Sequence, residues 1–215
     1  DDDAGRHYVE AIEIFERTLG AQHPRAAITR SNLGAVLMRQ HRYREAQASL
    51  EAALAVFESV YGRGHLQVAG VLDGLADLYN ERGEFARALP YCRRAVAIGL
   101  ANLPPDHPSH AYFHFNLARA LLGLGRADEA IAPLERARSI REQASGDPVE
   151  LADVQLALAR ALWDGRGDRG RAIALAGAAR VTYAAAGDRK RQELGLTDAW
   201  IASHAARSAR PGAPR

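Results

Sequence analysis

The chain repeats itself every 42 residues. Ala4, Ala46, Ala88, Ala130 and Ala172 stand at that interval, Ala11, Ala53, Ala95, Ala137 and Ala179 keep the same step, and His23, His65 and His107 form a third column. A period of this length marks an array of supersecondary units, each able to bury its apolar face only by stacking on a neighbour. Ahead of the alanine columns runs a Leu followed by a small residue, at Leu33-Gly34, Leu75-Ala76, Leu117-Ala118 and Leu158-Ala159, the last pair one residue early.

Within a unit the spacing is helical. Leu33 and Leu37, Leu75 and Tyr79, and Leu117 and Leu121 lie four apart, whereas strands would require alternation. With aromatics at only 7%, the interior must be filled by Ala and Leu, which favour helices. Each unit therefore reads as two helices in an all-α chain. Gly83 and Gly125 mark the turn inside a unit, and His41 stands in that place in the first full unit. Pro24, Pro108 and Pro148 suit a first helical turn, where the missing N–H has no intrahelical partner anyway. The small columns allow two helices to approach closely, and Gly34 and Ala46 should mark such a contact.

These signals divide the chain into a truncated unit at 1–22, which supplies only a second helix, full units at 23–64, 65–106, 107–147 and 148–187, a capping helix at 188–204, and a disordered tail at 205–215. Leu194, Leu196, Trp200 and Ile201 form the expected apolar side of the cap. The inner turn of the fourth unit, Asp164 to Gly170, contains three glycines and is expected to be mobile.

Several functions are disfavoured at once. Twenty-eight basic residues against 26 acidic ones, for a net charge of +2 and with the two signs interspersed, give no polybasic surface for nucleic acid. The single cysteine, Cys92, excludes an intramolecular disulfide and a Cys-based zinc site and agrees with a reducing cytoplasm. No apolar run approaches a membrane span. Met38 is the only methionine, so residue 1 is expected to lie inside a longer protein.

The Leu-small, Gly, aromatic and Ala columns in this order resemble the tetratricopeptide repeat, and the period narrows the resemblance to the kinesin-light-chain type. Leu19-Gly20-Ala21-Gln22-His23-Pro24 and Pro104-Pro105-Asp106-His107-Pro108 look like that subtype's connection between units. His65-Leu66 departs from it by lacking the Pro, and Asp147-Pro148 by lacking the His. The resemblance covers residues 4 to 186. It implies a right-handed alpha-alpha superhelical solenoid of about ten antiparallel helices that binds a protein or peptide partner. The stretch from Asp147 through Trp163 to Trp200 also resembles the carboxyl-terminal repeat region of bacterial serine/threonine protein kinases. No Gly-rich loop, catalytic Asp loop or Mg-binding Asp motif occurs in the chain, so no enzyme activity and no cofactor are expected of it.

The first helix of each unit is the expected partner-binding face, because stacked repeats line their groove with it. The residues singled out are Asn32, Asp73, Asp77, Asn80, Tyr112, Phe115, Asn116, Arg119, Arg160 and Trp163. Asp73, Asp77 and Glu81 stand four apart in succession, which suits a basic peptide, and Tyr112, Phe115 and Trp163 offer exposed aromatic anchors. The competing reading has Asp77 paired with Arg119 and the aromatics completing the packing between units. His110 and His114, with His107 nearby, have a spacing that can hold a metal, but no carboxylate or Cys completes the set, and no metal site is expected. The apolar face of the first helix, built on Tyr8, Ile12 and Phe15, offers a route to a homodimer.

Overall fold

The computed structural model describes residues 2–144 and 146–208. It contains α1 (Asp2–Leu19), α2 (Pro24–Arg39), α3 (Tyr43–Tyr61), α4 (Leu66–Glu81), α5 (Phe85–Asn102), α6 (Ser109–Gly123), α7 (Ala127–Gln143), α8 (Pro148–Asp164), α9 (Arg169–Ala185) and α10 (Arg191–Ser208), with one 3-10 turn at Gly187–Lys190. Among the described residues there is no strand. The chain divides between Pro105 and Asp106 into two units, the first holding α1 to α5 and the second α6 to α10.

In the first unit α2 pairs with α3 and α4 with α5, while α1 lies on α2 and α3 on α4. Both pairs turn through one left-handed residue, His41 at φ 57° and Gly83 at φ 72°. The turns close identically. The N–H of Arg42 donates to the Leu37 carbonyl at 2.9 Å and that of His41 to Met38, as Glu84 does to Tyr79 and Gly83 to Asn80. This pair of hydrogen bonds satisfies carbonyls that the helix end would otherwise leave open. The core of the unit is aliphatic, with Val36, Leu37, Leu50, Val56, Leu72, Leu75 and Leu78 buried around Phe57 and Tyr79. Gly34 faces Leu50 and the Ala46 carbonyl, the close approach expected of the small column.

The histidine column is a set of helix caps. His23, His65 and His107 each accept a hydrogen bond at Nδ1 from the backbone N–H two residues on, in every case at 3.2 Å. Where the sequence departs from the column, the Asp147 carboxylate does the same for Val149 at 2.9 Å. An imidazole with a free Nδ1 and a carboxylate are both acceptors for an unpaired amide at a helix start.

In the second unit α6 pairs with α7 and α8 with α9, α7 lies on α8, and α10 closes on α9. Gly125, at φ 71°, turns the first pair as Gly83 does. The glycine-rich turn expected to be mobile is instead pinned. Arg166 donates its N–H to Asp128 Oδ1 at 2.7 Å, and a Cβ on Gly167 would stand 2.8 Å from the Leu162 Cα. Its glycines serve close approach of backbone, not freedom.

Three further expectations are corrected. Leu196 on α10 is 55% exposed, and Thr197 takes the buried position, its hydroxyl satisfied by the Glu193 carbonyl at 2.7 Å. Helix α10 runs four residues past the expected end at His204, through helix-forming Ala205, Ala206 and Arg207, and the remainder of the expected tail lies outside the described residues. On α1, Tyr8, Ile12 and Phe15 are half-buried, while Val9, Ile14 and Leu19 are the large apolar residues left exposed.

Candidate functional site

Helices α2 and α4 run side by side in the first unit and enclose a recess of about 380 Å³. Its walls are Asn32, Ala35 and Arg39 on one side and Gly70, Asp73 and Asp77 on the other, with Leu50 of α3 at its base. Small residues make the space, since Gly70 and Gly74 add no side chain beside Asp73 and Asp77. A Cβ on Gly74 would meet Leu50 Cδ2 at 3.3 Å. Asn32 is exposed and both Asp73 and Asp77 are half-buried at the mouth. Asn80 does not share this position, because it is only 4% exposed, like the buried Leu78 and Tyr79 that precede it.

In the second unit the expected anchors are largely engaged by the fold itself. Tyr112 of α6 donates its hydroxyl to Glu150 Oε1 of α8 at 2.9 Å, and the Arg141 guanidinium of α7 lies 4.0 Å from its ring centre while pairing with the same glutamate. Three helices are thus tied through one exposed ring. Phe115 is half-buried, with Arg119 at 5.9 Å from its centre, and Asn116 is buried with its Oδ1 facing Arg119 Nη1 at 3.5 Å. Arg160 is half-buried, and its buried Nε has no acceptor.

Trp163 is not an exposed anchor. At 7% exposure it sits beneath α10, edge-on to Trp200 at 5.8 Å and to His204 at 4.6 Å, with Arg169 at 5.0 Å over its ring. The expectation failed because α10 follows this repeat and its Trp200 and His204 cover the ring.

Below the cap, Tyr183 donates to Asp153 Oδ1 at 2.7 Å, and Lys190 reaches Glu193 at 2.7 Å and Asp153 at 3.9 Å. Burial raises the Asp153 carboxyl above its ordinary range, opposed by the Tyr183 hydroxyl and by Lys190. Burial, the bond to Asp153 and that carboxylate's charge also hold the Tyr183 phenol well above its usual value. This network stabilises the end of the array. Neither it nor Arg141 and Glu150 could be found from the sequence, where charged residues of both signs occur throughout and nothing marks which pair across helices.

His110 and His114 are neighbours, their ring centres 6.2 Å apart. Burial, then His110 and Arg136, lower the His114 pKa to about 4. Among the described residues no group of three or more His, Cys, Asp or Glu is placed to hold a metal, and no helix is long and apolar enough to cross a membrane.

Comparisons with known proteins agree with this geometry. Residues 1–59, 25–101 and 67–143 each match the tetratricopeptide repeat family. The Arabidopsis thaliana protein Kinesin Light Chain-Related 2 is 29% identical over 159 residues, which are 71% of this chain and 24% of that protein. The chain therefore spans about a quarter of the length of that relative. Among solved structures, a Podosopora anserina protein of nearly identical kinesin-light-chain, TPR-like repeats superposes with a TM-score of 0.66 at 24% identity, covering 87% of this chain and 89% of the other. BtubC (BKLC) from P. vanneervenii superposes with a TM-score of 0.64 at 18% identity, covering 100% and 93%.

Proposed function

Because the chain belongs to the tetratricopeptide repeat family, whose helical arrays are interaction modules without chemistry of their own, we propose that it docks a partner protein by holding an extended peptide or a helix along its first helices. The observation that carries this reading is the recess between α2 and α4, whose walls are made of residues outside the repeat columns. Positions that hold the fold together are fixed by packing, and those facing the recess are free to serve a ligand.

Asn32, Asp73 and Asp77 supply the polar wall in the first unit. The two aspartates against Arg39 favour a basic segment there. In the second unit, taken by itself, Phe115, Arg119 and Arg160 are the side chains proposed to take part in binding, with Tyr112 offering its exposed edge. Asn80, Asn116 and Trp163 are buried, and their part is in the packing of their own units.

The finer setting is a piece of a bacterial cytoplasmic signalling protein, supported by the resemblance of residues 147 to 200 to kinase-linked repeats and by the lone Cys92. In that setting the partner is a substrate or the catalytic domain itself.

The test is capture of interacting protein by the wild-type chain and by Asp73→Ala/Asp77→Ala/Phe115→Ala. The triple variant should lose capture while keeping wild-type helicity and a cooperative thermal unfolding transition, lowered only by the loss of the half-buried Phe115 ring. Undiminished capture would remove the recess from the site.

A further inference from the structure

The first unit holds two equivalent spaces of which only one is filled. Above α4, between α3 and α5, Tyr79 and Tyr91 stack with ring centres 5.5 Å apart. Arg87 lies 4.4 Å over the Tyr79 ring, donates to its hydroxyl at 3.0 Å and pairs with Glu84 at 2.5 Å. One period earlier, above α2 and beside α1 and α3, the corresponding residues are Leu37 for Tyr79, Ser49 for Tyr91, Glu45 for Arg87 and Arg42 for Glu84. Both rings are missing, and a cavity of about 920 Å³ remains.

The lining is suited to an aromatic group. Leu33, Leu37 and Val9 provide an apolar floor and wall, and Gly5 stands where the later units carry Gln47, Leu89 and Ile131. A Cβ on Gly5 would touch nothing nearer than Val36 Cγ1 at 4.0 Å, so the space continues past it. Val9 is left 45% exposed at its edge. An open recess of this size, with an apolar floor of Val9, Leu33 and Leu37 beneath a charged and polar rim, has the character of a binding site.

The rim selects the ligand further. Arg42 binds Glu45 through two nitrogens, at 2.8 and 2.7 Å, and this hydrogen bonding holds the Glu45 carboxyl below its ordinary range, so it is an acceptor at neutral pH. It occupies the place from which Arg87 meets the Tyr79 hydroxyl, with the charge reversed. Asp3, Glu10 and Glu45 set three carboxylates against the two guanidiniums of Arg6 and Arg42, leaving the rim with a negative excess.

We propose that this recess receives a tyrosine side chain from a basic segment of a partner protein, its ring on Leu33, Leu37 and Val9 and its hydroxyl donating to Glu45. The site is separate from the groove between α2 and α4, and neither depends on the other.

The test uses the whole chain with p-cresol as the side-chain probe and with acetyl-Arg-Tyr-Arg-amide and acetyl-Glu-Tyr-Glu-amide as charge-matched peptides, followed by methyl and amide NMR. Saturable shifts are expected at Val9, Leu33 and Leu37, with the basic peptide binding at least several-fold tighter than the acidic one at low salt. Leu37→Tyr/Ser49→Tyr, which restores the ring pair of the next repeat, should weaken p-cresol at least tenfold. Gly5→Leu should do the same from the opposite wall, and serves if the double variant does not fold. Asp73→Ala/Asp77→Ala should leave p-cresol binding unchanged, which separates this site from the docking groove. Absence of saturable binding, binding that survives both filling variants, or equal affinity for the two peptides would overturn the proposal.

Discussion

Leu50 occupies the place where a side chain on Gly34 would have to go. A Cβ there would stand 2.7 Å from Leu50 Cγ and 2.9 Å from its Cδ2. The same two positions in the next repeat hold Ala76 and Cys92, both wholly buried. The two pairs divide one volume differently: against Leu50 as it is placed here only Gly34 fits, whereas Cys92 leaves room for the Cβ of Ala76, and the third repeat seats Ala118 with Leu134, both also wholly buried.

Gly34→Ala is therefore expected to destabilise by about 1–2 kcal/mol, overpacking outweighing the gain in helix propensity. Leu50→Cys alone should also destabilise. Combined, they recreate the Ala76–Cys92 pair, and urea unfolding should show the double variant more stable than the sum of the singles by about 1 kcal/mol or more.

The turn glycines have a purely conformational role. A Cβ at Gly83 or Gly125 would have nothing within 4 Å, yet both sit at positive φ. Gly83→Ala and Gly125→Ala should each cost about 1 kcal/mol in chemical unfolding. Gly34→Ala differs in that a partner substitution rescues it, and none should rescue these.

Removing a histidine cap leaves a helix-start amide without its acceptor. His23→Ala and His65→Ala should each destabilise by about 1 kcal/mol. His65→Asp should retain most of the stability, because Asp147 caps α8 in the same way. Thermal unfolding of the three variants decides this.

His114 makes stability depend on pH. Its folded-state pKa of about 4 lies below the ordinary 6.5, since burial, with His110 and Arg136 adding repulsion, disfavours the charged ring. Between those values the unfolded chain binds a proton that the folded chain does not, so this contribution to stability is lost as pH falls from about 6.5 and levels off below about 4. Relative to His114→Phe, the wild type should lose stability across that window in unfolding titrations. Nearby His110 is 1% exposed with neither ring nitrogen hydrogen-bonded, in the column of Ala26 and Val68. His110→Val should stabilise by about 1–3 kcal/mol.

The fold was legible in the sequence because repetition multiplies weak signals. One His before a Pro says little, but His23, His65 and His107 at a fixed step locate three helix starts. Their chemistry as caps was not legible, and became clear only where Asp147 replaces the histidine and keeps the bond. The site was legible as a face and much less as side chains. Periodicity assigns Asp73 and Asp77 to the recess, but a residue one position off, such as Asn80, turns inward. Tyr112 and Trp163 were claimed by Glu150, Arg141 and the cap, partners that share no column with them. The empty space at Leu37 and Ser49 was invisible for a related reason. An absent ring is a signal only once Tyr79 and Tyr91 show what belongs there.

Hydrogen exchange of the chain with and without a captured partner tests the central claim most directly. Docking along the first helices predicts new protection in α2 and α4, centred on residues 31–39 and 70–77, with α5 unchanged. Protection confined to α3 and α5, with α2 and α4 exchanging as in the free chain, would contradict it.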